Sequence, residues 1–398
     1  MQKLSERINR LAESATLAMA RMSRELKAEG KDVIALSLGE PDFNTPEFIK
    51  DAAKEAITNN YSHYTPVPGL DELRNSIAKK FKRDNKLEFT KEEIVVSTGA
   101  KQSLANICLS LLDPGDEVLL PCPYWVSYSE IIKLAEGVPV EISSSVTNNF
   151  KVSPKQIENA ITDNTRMFMF SSPCNPSGSV YTENELREIA KVFEKHPKIF
   201  IVSDEIYEHI NFTNQHFSIG RIESLKDRVI TVNGVSKGFA MTGWRVGFIG
   251  APLWIAKACN KIQGQVTSAT CAIAQKATEE AMKADPKEVT NEMKNSFLKR
   301  RDLLLEKLNG IKGVKCNIPD GAFYIFPDIS YFFGKTDGKN VINDANDLCM
   351  YLLNTCYVAL VSGAPFGNPE CVRISYAASE ENLLEAVKRI KSQLEKLY

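Results

Sequence analysis

The chain has little with which to build a metal centre, a disulfide frame or a membrane anchor. Its 398 residues include four histidines, none placed near the cysteines at a zinc-like spacing. The nine cysteines are scattered and form no C-x-x-C pair. That many unpaired thiols point to a reducing cytoplasm rather than secretion. No apolar run reaches the ~18 residues that span a bilayer. The opening stretch, MQKLSERINRLAES, is charged and lacks an apolar centre, so it does not read as a signal peptide. Neither sign of charge dominates: 49 basic against 50 acidic residues leave a net charge of −1. Nothing therefore argues for nucleic acid or an anionic membrane as a partner. No internal repeat or low-complexity tract is present. What remains has 43% hydrophobic and 25% charged residues, and is long enough for two domains with sizeable cores.

Short apolar runs dominate the middle of the chain: IVVST (94–98), EVLLP (117–121), RMFMFSS (166–172), IFIVSD (199–204), VITVNG (229–234) and VGFIGA (246–251). They are continuous rather than alternating, as expected for strands covered on both faces. Helix-like stretches separate most of them. One is TENELREIAKVFEKH, with Thr182 as cap and Glu185 at the third helical position. The alternation predicts an α/β fold with a mainly parallel sheet. VITVNG and VGFIGA are too close for a helical crossover, so one of them is expected to run antiparallel to its neighbour. Residues 5–30 read as one helix ending in a turn at Glu29–Gly30. Residues 287–309 read as a long amphipathic helix with Met293, Phe297, Leu304 and Leu308 on one face. GAFYIFPDI and CVRISYA then read as strands of a smaller α+β unit. The expected division is a large domain over 48–286 and a discontinuous small domain from 1–47 and 287–398.

The chemistry concentrates at strand ends, where open α/β sheets bind ligands. VITVNGVS ends in Ser236 and is followed by Lys237, with Arg245 eight positions further on. A lysine on a largely uncharged turn is unusual, and one able to lose its proton is a nucleophile for an aldehyde. A neighbouring hydroxyl and guanidinium suit a phosphate. Together they suggest an anchor for pyridoxal phosphate. Gly99, Ala100 and Lys101 open a helix after IVVST, where backbone N–H groups can meet a phosphate. Further strand ends offer Tyr124 and Trp125, Asn175, Asp204 and Tyr207.

In order along the chain, GEPDF (39–43), YTPVPGLDELR (64–74), STGAKQ (97–102), PYWVSY (123–128), NPSG (175–178), SDEIY (203–207), SKGFAMTGWRVG (236–247) and RISYA (373–377) resemble the fold-type I, class I aminotransferases. The likeness is strongest to the bacterial aspartate aminotransferase subgroup and covers nearly the whole length. The resemblance implies that Lys237 holds pyridoxal 5'-phosphate through a Schiff base and shuttles the proton. Asp204 would pair with the pyridinium nitrogen. Tyr207 and Asn175 would bond the ring oxygen, and Trp125 would stack on the ring. Ser236, Arg245 and the backbone at 99–101 would bind the phosphate, joined by Tyr64 from the other subunit of a homodimer. Arg373 would grip the substrate α-carboxylate, assisted by Asn175 and the N–H of Gly39. Lys101 would meet a second, acidic carboxylate, with Ser14 and Thr16 on a segment that closes over the substrate. The implied reaction is ping-pong transfer from aspartate to 2-oxoglutarate, with amino and keto acids as the only partners. Alternatives are another donor specificity (aromatic, alanine or prephenate), a carbon–sulfur lyase on the same scaffold, a DNA-binding sensor built on this fold, and an α/β enzyme without this cofactor.

Overall fold

The computed structural model describes residues 4–213 and 215–398. A short first strand, β1 (Ile34–Ala35), precedes seven that build one sheet. These are β2 (Ile94–Ser97), β3 (Glu117–Pro121), β4 (Val138–Ile142), β5 (Thr165–Ser171), β6 (Phe200–Asp204), β7 (Val229–Gly234) and β8 (Gly247–Gly250). Their order across the sheet is β2-β8-β7-β6-β5-β3-β4. The five strands from β7 to β4 run parallel, and β8 is antiparallel to both β7 and β2. The short loop after VITVNG thus does what its length required.

The continuous apolar runs are explained by which way alternate residues point. Val118, Leu120, Met167, Met169, Val202 and Ile230 pack into a core on one face. Leu119, Phe168, Phe170 and Ile201 pack into a second core on the other. With helices on both faces, no strand residue has reason to be polar until the strand ends.

The strand directions gather the chemistry at one edge. The parallel strands deliver their carboxyl ends there. Because β8 runs the other way, its amino end lies at the same edge, with Gly247 opposite Gly234 and Ser97. Arg245, Lys237 and the turn at Gly99 are therefore brought together from distant positions.

The remaining strands are β9 (Tyr324–Ile325), β10 (Val358–Ala359), β11 (Val361–Ser362) and β12 (Val372–Ser375). β1 pairs parallel with β10, and β11, β12 and β9 form a small antiparallel sheet. A third core joins residues 19–36 to the C-terminal portion, from Met293 to Leu397. The helix Pro286–Asn309 buries Met293, Phe297, Leu304 and Leu308 as its periodicity required, and Asp285 caps it. In the helix Glu183–Glu194, Thr182 and Glu185 form the expected capping box.

One expectation needs correction. Residues 5–30 are not a single helix but two, Glu6–Asn9 and Ala15–Ala28. The ladder breaks because the Ala12 N–H leaves it and donates to Glu130 Oε2 at 2.7 Å. The turn at Gly30 is as expected, with φ +81°.

Candidate active site

A cavity of about 270 Å³ opens at the carboxyl edge of the sheet. Thirteen of the sequence-derived site residues line it; Gly99 and Tyr64 do not. Lys237 follows β7. Its Nζ donates to the carbonyl of Gly39 at 2.6 Å, across the cleft from the N-terminal part of the chain. Burial, reinforced by the Arg373 guanidinium, brings the amine down to about 8. A useful fraction is therefore neutral near physiological pH, as a nucleophile or proton acceptor requires.

Asp204 ends β6 and is 4% exposed. Its Oδ2 accepts from the Tyr128 hydroxyl at 2.7 Å and its Oδ1 from the Ile206 N–H at 3.2 Å. Burial still lifts the carboxyl to about 6. Such a group calls for a cation or a protonated ring nitrogen beside it. Tyr207, one turn further on, shares a 2.8 Å hydrogen bond with the Tyr324 hydroxyl, and burial raises both phenols.

Arg373 lies on β12, 1% exposed. Its guanidinium donates to Asn175 Oδ1 at 3.0 Å, to the Ser37 carbonyl at 2.6 Å and to Thr16 Oγ1 at 3.3 Å. Its Nε is buried with no acceptor. Burial holds its pKa below the usual arginine value. Among the described residues no carboxylate pairs with it. An enclosed guanidinium with neutral partners only, and a donor to spare, is able to accept a carboxylate from outside the chain.

The end of the cavity where a phosphate is expected is built from the turn at Gly99. Its φ is +83°, and a Cβ there would stand 2.3 Å from Arg245 Nη2. Only glycine lets the guanidinium lie against this loop. The Gly99 N–H itself is turned to the Ser97 carbonyl at 2.8 Å, so it is not part of the cradle. The cradle begins with Ala100 and Lys101, whose first-turn N–H groups have no acceptor within the helix Ala100–Leu111. Ser236 and Arg245 complete it. Lys101 Nζ sits 5.0 Å from the centre of the Trp125 ring. Partial burial and the neighbouring Arg245 lower its pKa. Ser14 and Thr16 close the cavity from the N-terminal side, and Tyr64 stands 98% exposed elsewhere on the surface.

These features carry the marks of one enzyme family. The family model described as aminotransferase class I and II matches residues 31–390. The chain belongs to that family. It is 46% identical over 396 residues to the aspartate/prephenate aminotransferase of Nitrosomonas europaea, covering 98% of this chain and 100% of that one. The aspartate aminotransferase structure from Rhizobium meliloti superposes with a TM-score of 0.96 at 41% identity, over 100% of both chains. The aspartate aminotransferase of Thermus thermophilus with maleate superposes with a TM-score of 0.91 at 40% identity, covering 98% of this chain and 100% of that one. The aminotransferase is a pyridoxal 5'-phosphate enzyme, and the cavity fits that group. A buried carboxylate and an amine line the same cavity as the first-turn N–H groups of Ala100 and Lys101, the Ser236 hydroxyl and the Arg245 guanidinium, donors of the type a phosphate takes.

Sequence reasoning missed three contributors. Tyr128 holds Asp204, Tyr324 holds Tyr207, and Ser37 holds Arg373. Tyr128 lay within PYWVSY, but nothing local distinguishes a tyrosine facing the cavity from one facing the core. Tyr124 is the converse case: its hydroxyl turns away to Glu141 at 2.5 Å.

Proposed function

We infer that this aminotransferase moves the amino group of L-aspartate to 2-oxoglutarate, giving oxaloacetate and L-glutamate by a ping-pong exchange. The observation that carries the dicarboxylate reading is a pair of cations in the cavity, Arg373 and Lys101, neither matched by a carboxylate among the described residues. Aspartate and 2-oxoglutarate each bring two. The names of the relatives and the maleate in the Thermus neighbour, a four-carbon dicarboxylate, support the same reading.

Pyridoxal phosphate, when bound, supplies an aldehyde carbon to carry the amino group and a ring that delocalises the electrons released at the substrate Cα. The chain's residues do the rest. Lys237 would hold the cofactor and, freed by substrate, would take the proton from the substrate Cα as general base and, as general acid, deliver it to the cofactor carbon that receives the amino group. Asp204, oriented by Tyr128, would keep the ring nitrogen protonated. Tyr207 and Asn175 would bond the ring oxygen, and Trp125 would stack on the ring. Ser236, Arg245 and the N–H groups of Ala100 and Lys101 bind the phosphate. Arg373 and Asn175 fix the α-carboxylate, with the Gly39 backbone beside them. Lys101, Ser14 and Thr16 receive the side-chain carboxylate. The N-terminal segment then excludes water.

Two further readings belong with this one. The residues 48–286 form the cofactor domain, and 1–47 with 287–398 the small domain, an assignment supported by the cores on either side of the cleft. The enzyme works as a homodimer in the cytoplasm. The dimer is supported by Tyr64, whose full exposure leaves it free to reach a second subunit's phosphate site. The cytoplasm is supported by nine free cysteines. Among the described residues, no helix is long and apolar enough to cross a membrane.

A panel of amino donors against 2-oxoglutarate tests the assignment, with prephenate as a second acceptor because several relatives are named for it. Aspartate is expected to give the highest kcat/KM. A donor without a second carboxylate outperforming it would refute the dicarboxylate reading. Turnover that needs no keto acid would favour the lyase.

A further inference from the structure

The two carboxylates that follow the site residues in sequence point away from the cavity. Asp204 and Tyr207 line it, whereas Glu205 and Glu208 are buried behind it, 1% and 7% exposed. A tight turn sets this alternation, with the Glu208 N–H donating to the Glu205 carbonyl at 2.9 Å and the Ile210 N–H to the Tyr207 carbonyl at 2.8 Å.

Behind the turn every carboxylate oxygen is satisfied. Glu205 Oε1 accepts from the hydroxyls of Ser203 at 2.9 Å and Ser218 at 2.6 Å. Its Oε2 accepts from Asn85 Nδ2 at 2.9 Å and meets His216 Nε2 at 2.7 Å. Glu208 Oε2 accepts from Asn85 Nδ2 at 2.6 Å, and its Oε1 from Asn233 Nδ2 at 2.9 Å and from the Lys80 ammonium. Lys80 also donates to Asn85 Oδ1 at 2.6 Å and is 1% exposed. Glu205, Glu208 and His216 have the donor types of a metal site. The Lys80 ammonium offsets part of the charge of the two carboxylates, and hydroxyl, amide and imidazole groups take up their remaining oxygens, so the cluster is satisfied by hydrogen bonds within the chain.

The cluster touches the cavity residues from two sides. One is the turn bearing Asp204 and Tyr207. The other is β7, where Asn233 Oδ1 accepts from the Gly234 N–H at 2.8 Å, three residues before Lys237. The backbone just past Lys237 rests on the same cluster: a Cβ on Gly238 would stand 2.8 Å from His209 Cδ2, and His209 Nε2 lies 3.3 Å from Glu208.

We propose that Lys80, Asn85, Glu205 and Glu208 are positioning residues for the reaction, a buried, fully hydrogen-bonded cluster behind the sheet edge that fixes Asp204, Tyr207 and Lys237 relative to one another. The proposal rests on the cofactor site described above. Its energetic logic is geometric, since a misplacement of about 1 Å at a reacting centre costs on the order of 100-fold in rate.

The test uses the full-length, cofactor-loaded protein and the variants Glu208→Gln and Ser218→Ala. Three quantities are read: Tm, the split between kcat and KM, and the pH midpoint at which the visible band of the bound cofactor changes. Glu208→Gln keeps the shape but removes the carboxylate nearest the Lys80 ammonium, leaving Asp84 Oδ2, 3.9 Å away, as its counter-charge. It is expected to lower kcat by about 10-fold or more while KM for aspartate stays within about 2-fold, and to move the spectral midpoint. Ser218→Ala removes one hydroxyl from Glu205 and is expected to act in the same direction by about 3-fold. A purely structural role would lower Tm and leave kcat and the midpoint of the folded protein unchanged. That result in Glu208→Gln overturns the proposal, as it does in Ser218→Ala should Glu208→Gln fail to fold. Failure of the underlying reading looks different: the unsubstituted protein would then show no cofactor band, and the cluster's role would fall with it.

Discussion

Replacing Lys101 by alanine separates recognition of the two substrate carboxylates. The first-turn N–H of residue 101 survives the change, so the phosphate cradle is kept and only the ammonium is lost. An ion pair at about 4 Å is worth roughly 4 kcal/mol at an effective dielectric near 20. Lys101 is partly exposed, so solvent screening reduces that figure. A charge-assisted hydrogen bond with a net worth of about 1.5–3 kcal/mol is the better guide, which is roughly 10–100-fold in affinity. The cation–π contact with Trp125, at 5.0 Å, is lost as well. That loss, about 0.5–1 kcal/mol, falls on every substrate alike. The ratio of kcat/KM for aspartate to that for alanine therefore isolates the carboxylate effect. It is expected to fall by roughly 10–100-fold in Lys101→Ala, with alanine itself changed only by the shared term. The assay is steady-state kinetics with both donors against saturating 2-oxoglutarate, together with a cofactor titration. An unchanged ratio refutes the reasoning, because Lys101 would then be serving the phosphate or nothing.

Arg373→Lys should behave in the opposite way: both donors share the α-carboxylate, so both KM values rise, by roughly 10–100-fold, and the aspartate-to-alanine ratio holds. A selective loss of aspartate would place Arg373 at the wrong carboxylate. In cofactor-free protein, Lys237 is expected to deprotonate near pH 8 rather than near 10.5, because burial disfavours its charged form. Its rate of labelling by an amine-directed reagent should accordingly rise through pH 8, measured by peptide mass mapping with surface lysines as the reference. A rise only near pH 10 would contradict the burial argument. Gly247→Ala would place a Cβ 2.1 Å from the Ala100 nitrogen, a clash of backbone against side chain with no rotamer to relieve it. Cofactor affinity should drop by on the order of 10-fold or more as the first turn of the helix Ala100–Leu111 is displaced, and an unchanged dissociation constant would show that the turn yields freely.

The sheet was legible because its code is simple. A strand covered on both faces is mainly apolar and continuous, and the MFMF of RMFMFSS or the VITV of VITVNG, interrupted only by Thr231, shows that pattern without help from elsewhere in the chain. Helix 183–194 was legible because its cap is local, four residues from end to end. Lys237, Asp204 and Asn175 could be read because each sits where an apolar run stops. Tyr128, Tyr324 and Ser37 could not, because each acts through a partner between 76 and 336 positions away. The break at 10–14 was hidden for the same reason: the acceptor that opens the helix, Glu130, lies 118 positions on.

The resting partner of Lys237 is a main-chain oxygen, the carbonyl of Gly39. No exchange of side chains can delete it, so this contact is inherited through the backbone alone. What mutation can alter at this position is space. A Cβ on residue 39 would stand 2.2 Å from the Tyr324 hydroxyl, which is the hydrogen-bond partner of Tyr207. A single added methyl group at residue 39 would thus disturb the amine's acceptor and both phenols at once, and this makes a residue with no side chain one of the least replaceable in the cavity.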